Sequence, residues 1–148
     1  MYKHILLPTD GSRLAAKGVK AGVRLAKSIG ARVTGVYVIP PYMPPMYGEA
    51  AIYVPEISPK RYKEMTEKEA KKALAAVEIE AGTAGVRCKT EFLVSSQAYE
   101  GILKTARRAK CDLVVMASHG RGGLSGLILG SETQRLLAHS RVPVLVCR

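Results

Sequence analysis

Apolar positions along the chain fall into two alternating rhythms. Short apolar stretches recur at His4–Leu7, in Arg32–Ile39 (RVTGVYVI), at Asp112–Ala117 (DLVVMA) and, interrupted by Pro143, at Val142–Cys147. Such stretches are the mark of strands buried on both faces. Between the first two, Leu14, Gly18, Ala21, Gly22, Leu25 and Ile29 repeat at helical spacing, which predicts a helix capped by Ser12 and ended by Gly30. Ser58-Pro59 offers a cap followed by proline at the first helical position. The helix it opens is expected to run to about Ala81, with Gly82 and Gly85 marking its end. Val86–Val94 reads as a third strand, and Ser95 or Ser96 as the opening of a third helix through Lys110. Ser131-Glu132-Thr133-Gln134 has the form of a capping box, Ser131 at the N-cap and Gln134 three residues on, with a last helix to about Ser140. Pro143, near the start of the final strand, points to a sheet edge.

Five strands alternating with four helices predict an α/β fold, one parallel sheet with helices on both faces. Right-handed crossovers restrict the strand order. Ligands in such sheets bind beyond the carboxyl ends of the strands, where the winding reverses. In the order 3-2-1-4-5, the exits of the first and fourth strands become neighbours. Those exits, Pro8–Ser12 (PTDGS) and Ser118–Gly123 (SHGRGG), are the most polar and glycine-rich strand ends in the chain.

At 148 residues and 47% hydrophobic content, the chain is expected to form a single domain, residues 1–148. Its 23 basic and 12 acidic residues give a net charge of +11, which favours anionic partners. The densest basic clusters, Lys60-Arg61, Lys71-Lys72 and Arg107-Arg108-Ala109-Lys110, fall on expected helices, where a charge run is ordinarily a solvated face. Only Tyr62 lies beside a cluster, so no stacking platform for single strands is visible, and nucleic-acid binding stands as an alternative reading. No apolar run exceeds five residues, which argues against a membrane-spanning helix. The opening MYKHILLPTD breaks its apolar stretch at Pro8 and Asp10 and is not expected to act as a signal peptide. Cys88, Cys111 and Cys147 are an odd, widely spaced set without CxxC, and the three histidines add no ligand spacing. Reduced thiols, no zinc site and a cytoplasmic location are expected.

Candidate chemistry concentrates between Ala117 and Thr133, read as A-S-H-G-R-G-G-L-S-G-L-I-L-G-S-E-T. Glycine at a strand exit lets backbone N–H groups approach an anion with no Cβ in the way. A helix beginning at Ser131 adds unpaired amides and a partial positive charge, and together these features describe a phosphate cradle. Arg121 can add a charge-assisted contact. The hydroxyls of Ser131 and Thr133 can bond phosphate or water around a divalent ion. The alternative is a flexible glycine loop in which Ser131 only caps its helix.

This stretch resembles the universal stress protein family, whose nucleotide-binding members carry G-x2-G-x9-G-[ST] after the fourth strand. Gly120, nine residues, then Gly130-Ser131 match the second and third parts, whereas the first glycine falls on Ala117. The ILLPTDGS opening, the VYVIP segment and the closing VPVLVC fit as well, so the resemblance spans the chain. It implies a Rossmann-like fold of the adenine nucleotide α-hydrolase type, binding ATP (or ADP or AMP) with Mg2+ or Mn2+. It places Pro8, Thr9 and Asp10 at the adenosine end and backbone groups around Val38 against the adenine. Met116, Ala117, His119, Gly120 and Arg121 would follow the ribose and phosphates, and Gly130, Ser131, Glu132 and Thr133 would complete the phosphate shell. Local alternatives remain: Val38 as core, His119 as a loop-fixing hydrogen bond, Asp10 as a turn cap. If the backbone at 117 needed a positive φ, alanine would cost about 1 kcal/mol more than glycine.

No Walker G-x4-G-K-[ST] is present, and no catalytic set is visible; at most the resemblance implies slow hydrolysis or autophosphorylation. The resemblance, with the cradle chemistry, implies a nucleotide-responsive dimeric regulator in stress response, with a nucleotide-independent scaffold as the alternative. The 39–59 segment, with six of the eight prolines and Tyr42, Met43, Met46, Tyr47 and Tyr53, is expected to be a long loop offering a surface to a protein partner. The resemblance implies a homodimer through Val142–Cys147, antiparallel across a two-fold axis, at what reads as an open sheet edge.

Overall fold

A computed structural model describes residues 1–44, 57–120 and 129–148. The chain forms β1 (His4–Pro8), α1 (Arg13–Ile29), β2 (Arg32–Ile39), α2 (Pro59–Ala84), β3 (Cys88–Val94), α3 (Ala98–Ala109), β4 (Leu113–Ala117), α4 (Ser131–His139) and β5 (Val144–Cys147). All five strands run parallel in the order β3-β2-β1-β4-β5, as the alternation of strands and helices predicts. Parallel neighbours need crossovers, and each crossover here is a helix whose apolar stripe must be covered by the sheet.

Alternation along the strands sorts the core into two sides. Ile5, Leu7, Val33, Leu113 and Val115 pack with Val19, Val23 and Ala26 of α1 and Val77 and Ala81 of α2. Leu6, Val36, Val114 and Met116 pack on the opposite side with Ile102 and Ala106 of α3 and Leu136 of α4. Burial on both faces explains why the central strands read as continuous apolar runs. Two glycines bring α1 close to the sheet: a Cβ at Gly18 would stand 2.7 Å from the Ala117 nitrogen, and one at Gly22 would stand 2.2 Å from Leu7 Cδ2.

Several boundaries differ from expectation. Helix α2 runs through Gly82 to Ala84 and is closed by Gly85 in a left-handed conformation, whose N–H reaches the carbonyls of Ala81 and Gly82. Gly82 is tolerated inside the helix because nothing lies within 4 Å of where its Cβ would be. Helix α3 starts after Gln97, not Ser95 or Ser96. The Ser95 amide still donates to the Ile39 carbonyl of β2 at 3.0 Å, continuing the ladder, and its hydroxyl donates to the Gln97 carbonyl. In the 39–59 segment, Tyr42 Oη donates to the Ile57 carbonyl at 2.9 Å and Tyr62 Oη to the Pro40 carbonyl at 2.7 Å, with the two rings edge-on. Residues 45–56 of that segment lie outside the described residues. Among the described residues, no helix is long and apolar enough to cross a membrane.

At the amino ends of the strands, Asp112 accepts the Lys3 amide at 2.8 Å and the His4 amide at 2.9 Å. Burial alone would push its carboxyl up, but these two amides outweigh it and hold the group below the ordinary carboxylate value. The His4 ring is buried and hydrogen-bonds Thr34 Oγ1 through Nε2 at 2.8 Å. Burial, then the Arg32 charge, lowers its pKa from 6.5. The Cys111 thiol is pushed up to about 11 by burial and by Asp112, and burial raises Cys88 and Cys147 too, so none is a ready nucleophile.

A histidine neutral in the fold and freer to protonate when unfolded withdraws stability as pH falls below 6.5, and withdraws none above it. The urea midpoint should therefore drop between pH 7.5 and 5.5, and His4→Gln should flatten that drop. An equal drop in both proteins would show that His4 is not the group responsible.

Candidate functional site

The exit of β1 is organised by its own side chains. The Thr9 amide still donates to the Val36 carbonyl at 2.9 Å, carrying the ladder one residue past Pro8. Thr9 Oγ1 then accepts the Gly11 amide at 3.1 Å, and Asp10 Oδ1 accepts the Ser12 amide at 2.9 Å. Gly11 takes a left-handed φ of 77°, the conformation that glycine adopts without steric cost. Ser12 caps α1, its Oγ accepting the Ala15 amide at 3.1 Å.

The exit of β4 is held by main chain. The Ser118 amide donates to Cys147 of β5 at 2.8 Å, and the Ser118 carbonyl receives the Gly130 amide at 2.9 Å and Thr133 Oγ1 at 3.1 Å. Ser118 Oγ and His119 Nδ1 are 3.0 Å apart, the loop-fixing bond considered for this histidine. Two facts correct the sequence reading here. Gly130, not Ser131, is the N-cap of α4, and no side chain caps it; Ser131 is the first helical residue. The Gln134 amide group turns to the Leu129 carbonyl instead of closing a box. The physical cause is the Ser118 carbonyl, which fixes the helix start through Gly130 and leaves Ser131 nothing to cap.

The two exits touch. A Cβ at Gly120 would stand 2.5 Å from Asp10 Oδ2, so only glycine lets the carboxylate lie there. Around this contact is a cavity of about 320 Å³, within the ~300–1,000 Å³ of small-molecule sites. Pro8, Thr9 and Asp10 line it from β1, and Met116, Ala117, His119 and Gly120 from β4. Gly130, Ser131, Glu132 and Thr133 line it from the start of α4. Ala15, Ala98 and Ile102 complete the wall and escaped the sequence reading. The signal for them was positional: in a parallel sheet the first turn of every following helix sits at the carboxyl ends of the strands.

Val38 does not line this cavity. Its side chain packs against Gly101 of α3, where a Cβ would meet it at 2.9 Å. Its main chain is placed differently. The Val36 carbonyl faces β1 and the Ile39 carbonyl faces β3, so alternation turns the Val38 N–H and C=O toward the β1 side, beyond the last residue of β1. Arg121 and the rest of 121–128 lie outside the described residues. Ala117 ends β4 without a positive φ, so the strain considered for alanine does not arise.

Electrostatically the cavity combines helix starts with carboxylates. The first residues of α3 and α4 open into it, and the amides of Ser131, Glu132 and Thr133 precede the first intrahelical bond, Gln134 to Gly130. Among the described lining residues there is no lysine or arginine. Glu132 Oε2 accepts the Tyr99 amide at 2.8 Å, and Oε1 lies 3.2 Å from Arg135 Nη1. This carboxylate thus ties the start of α4 to the start of α3. Such an arrangement can hold an anion on amides and hydroxyls beside an apolar patch.

Residues 1–148 match the model of the Universal stress protein family. Universal stress protein MJ0531 of Methanocaldococcus jannaschii is 34% identical over 148 residues, covering all of this chain and 83% of that protein. Universal stress protein UspA of Lactobacillus plantarum superposes with a TM-score of 0.78 at 25% identity, covering 99% of this chain and 98% of that one. A universal stress protein solved in complex with cAMP gives a TM-score of 0.71 at 20% identity, covering 99% and 97%.

Gly130→Val should leave the fold intact, since φ −59° and ψ 149° suit valine. Its Cβ would stand 3.2 Å from the Ser118 carbonyl, so an anionic ligand held by the first amides of α4 should bind at least tenfold more weakly. Unchanged affinity by calorimetry would remove the cavity from consideration.

Proposed function

The chain belongs to the universal stress protein family, and on that premise we propose that its cavity binds ATP or a related adenine nucleotide and that occupancy is read by partners of a cytoplasmic homodimer. The observation that carries this reading is convergence. Eleven residues named from the sequence, Pro8, Thr9, Asp10, Met116, Ala117, His119, Gly120 and Gly130 to Thr133, line one cavity although they come from three separate stretches. The cAMP complex of a protein with the same fold supports the choice of an adenine nucleotide.

In this reading the adenine lies against the open main-chain edge at Val38, where N–H and C=O can pair with a base edge. The ribose passes Asp10. The phosphates meet the amides of Ser131, Glu132 and Thr133 and the Ser131 hydroxyl. The Gly130 amide takes no part, because Ser118 holds it; the glycine is needed for space. Mg2+ or Mn2+ enters with the nucleotide, held chiefly by phosphate oxygens as magnesium usually is. Among the described residues no group of three or more His, Cys, Asp or Glu is placed to hold a metal. The role is binding and signalling. Glu132 is bound at both oxygens, so a phosphate arriving at α4 pulls on the start of α3 through the Tyr99 amide.

The outer edge of β5 supplies the dimer surface. Among the described residues β5 pairs with β4 alone, and Leu145 is 44% exposed on it. Adding the same strand from a second copy, antiparallel, would satisfy the open edge.

Mg-ATP at 100 times its dissociation constant should stabilise the protein by about 2.7 kcal/mol, read as a rise in melting temperature; no rise at millimolar Mg-ATP would sink the nucleotide reading in favour of a nucleotide-independent scaffold. Leu145→Lys should convert the dimer to monomer in sedimentation equilibrium without lowering ATP affinity, and a wild-type monomer would refute the edge.

A further inference from the structure

We propose that the opposite end of the sheet carries a second, separate binding site, for a small phosphorylated anion. The site is a groove of about 740 Å³ lined by His4, Arg32, Thr34, Arg87, Lys89 and Glu91 among others. It lies at the amino ends of the strands, roughly 13 Å from Pro8, counting four residues along β1 at ~3.3 Å each. Nothing in the nucleotide reading uses it.

Three observations point to an anion. First, the charges do not balance. Arg32 from β2 and Arg87 and Lys89 from β3 and its approach all line the groove, while its one acidic lining residue, Glu91, is already paired with Arg108 of α3. Second, the groove has a buried polar floor. His4 is 6% exposed and Thr34 4%; His4 Nε2 bonds Thr34, and the Ala109 carbonyl at the end of α3 faces the same ring. Third, the field of the groove is felt by its floor. Burial, Arg32 and Lys89 all disfavour the imidazolium, while the Ala109 carbonyl and Asp112 oppose them. A bound anion would reverse the sign of that field. Arginine's planar fork suits phosphate oxygens, and three cations lining one groove favour a polyanion such as a diphosphate.

Binding therefore brings a proton with it: the anion neutralises Arg32 and Lys89 and lets His4 charge, so affinity rises as pH falls toward 6. No bond is made or broken.

The probe is inorganic pyrophosphate, followed by the imidazole resonances of the three histidines and by calorimetry in buffers of different ionisation enthalpy. The expected result is saturable binding, with the His4 pKa raised by about one unit, His139 unmoved, and proton uptake on binding. The exposed pair Arg32→Gln and Lys89→Gln should weaken pyrophosphate at least tenfold with no change in melting temperature, and should by itself raise the His4 pKa in the free protein. Shifts confined to His119, effects matched by chloride at equal ionic strength, undiminished affinity in the double variant, or tighter binding of duplex DNA than of pyrophosphate would each overturn the proposal. ATP affinity of the same double variant separates this site from the nucleotide cavity: it should be unchanged.

Discussion

Two strand exits meet here through a single side chain, the Asp10 carboxylate laid against the bare backbone of Gly120, and the rest of the molecule is arranged to permit it. Gly120 leaves room for the Asp10 carboxylate, and Gly18 lets α1 lie against the main chain of Ala117 at the end of β4. One residue beyond Ala117, the Ser118 carbonyl holds Gly130 and Thr133 together, and α4 begins at the mouth of the cavity. The order β3-β2-β1-β4-β5 is what makes β1 and β4 neighbours in the first place. Sheet topology, helix packing and site geometry are thus one constraint seen at three scales.

The charge distribution gives the two ends of the sheet different characters. At the carboxyl ends, helix starts provide partial positive charge while Asp10 and Glu132 face the same space. Full cations are missing among the described lining residues there. At the amino ends, formal cations crowd a buried, uncharged imidazole. The net charge of +11 is therefore not a diffuse property; part of it is concentrated where the nucleotide reading has no use for it.

Strands and topology could be read from the sequence because a parallel sheet covered on both faces forces unbroken apolar runs such as LVVMA, and two-sided cover follows from the intervening helices. The strand exits could be read because polar, glycine-rich residues there have few other physical reasons to follow such runs. What resisted reading was anything fixed from a distance. Glu132 serves the start of α3 from 33 residues away, so no local pattern announces it, and Ser95 and Ser96 looked like better caps. The Ser131 box failed for the same reason, the Ser118 carbonyl having already set the helix start. Val38 reads as core from its side chain, and as an open edge only from the direction of its main chain. Ala98 and Ile102 become lining residues only once α3 is placed on the sheet.

The contact between Gly120 and Asp10 has a steric corollary. A methyl group at 120 cannot coexist with the carboxylate where it stands, and a longer acid at 10 would press on 120 in turn. The two positions, 110 residues apart in the chain, are therefore coupled in space: any side chain at 120 swings the Asp10 carboxylate off its present place and redraws the mouth of the cavity.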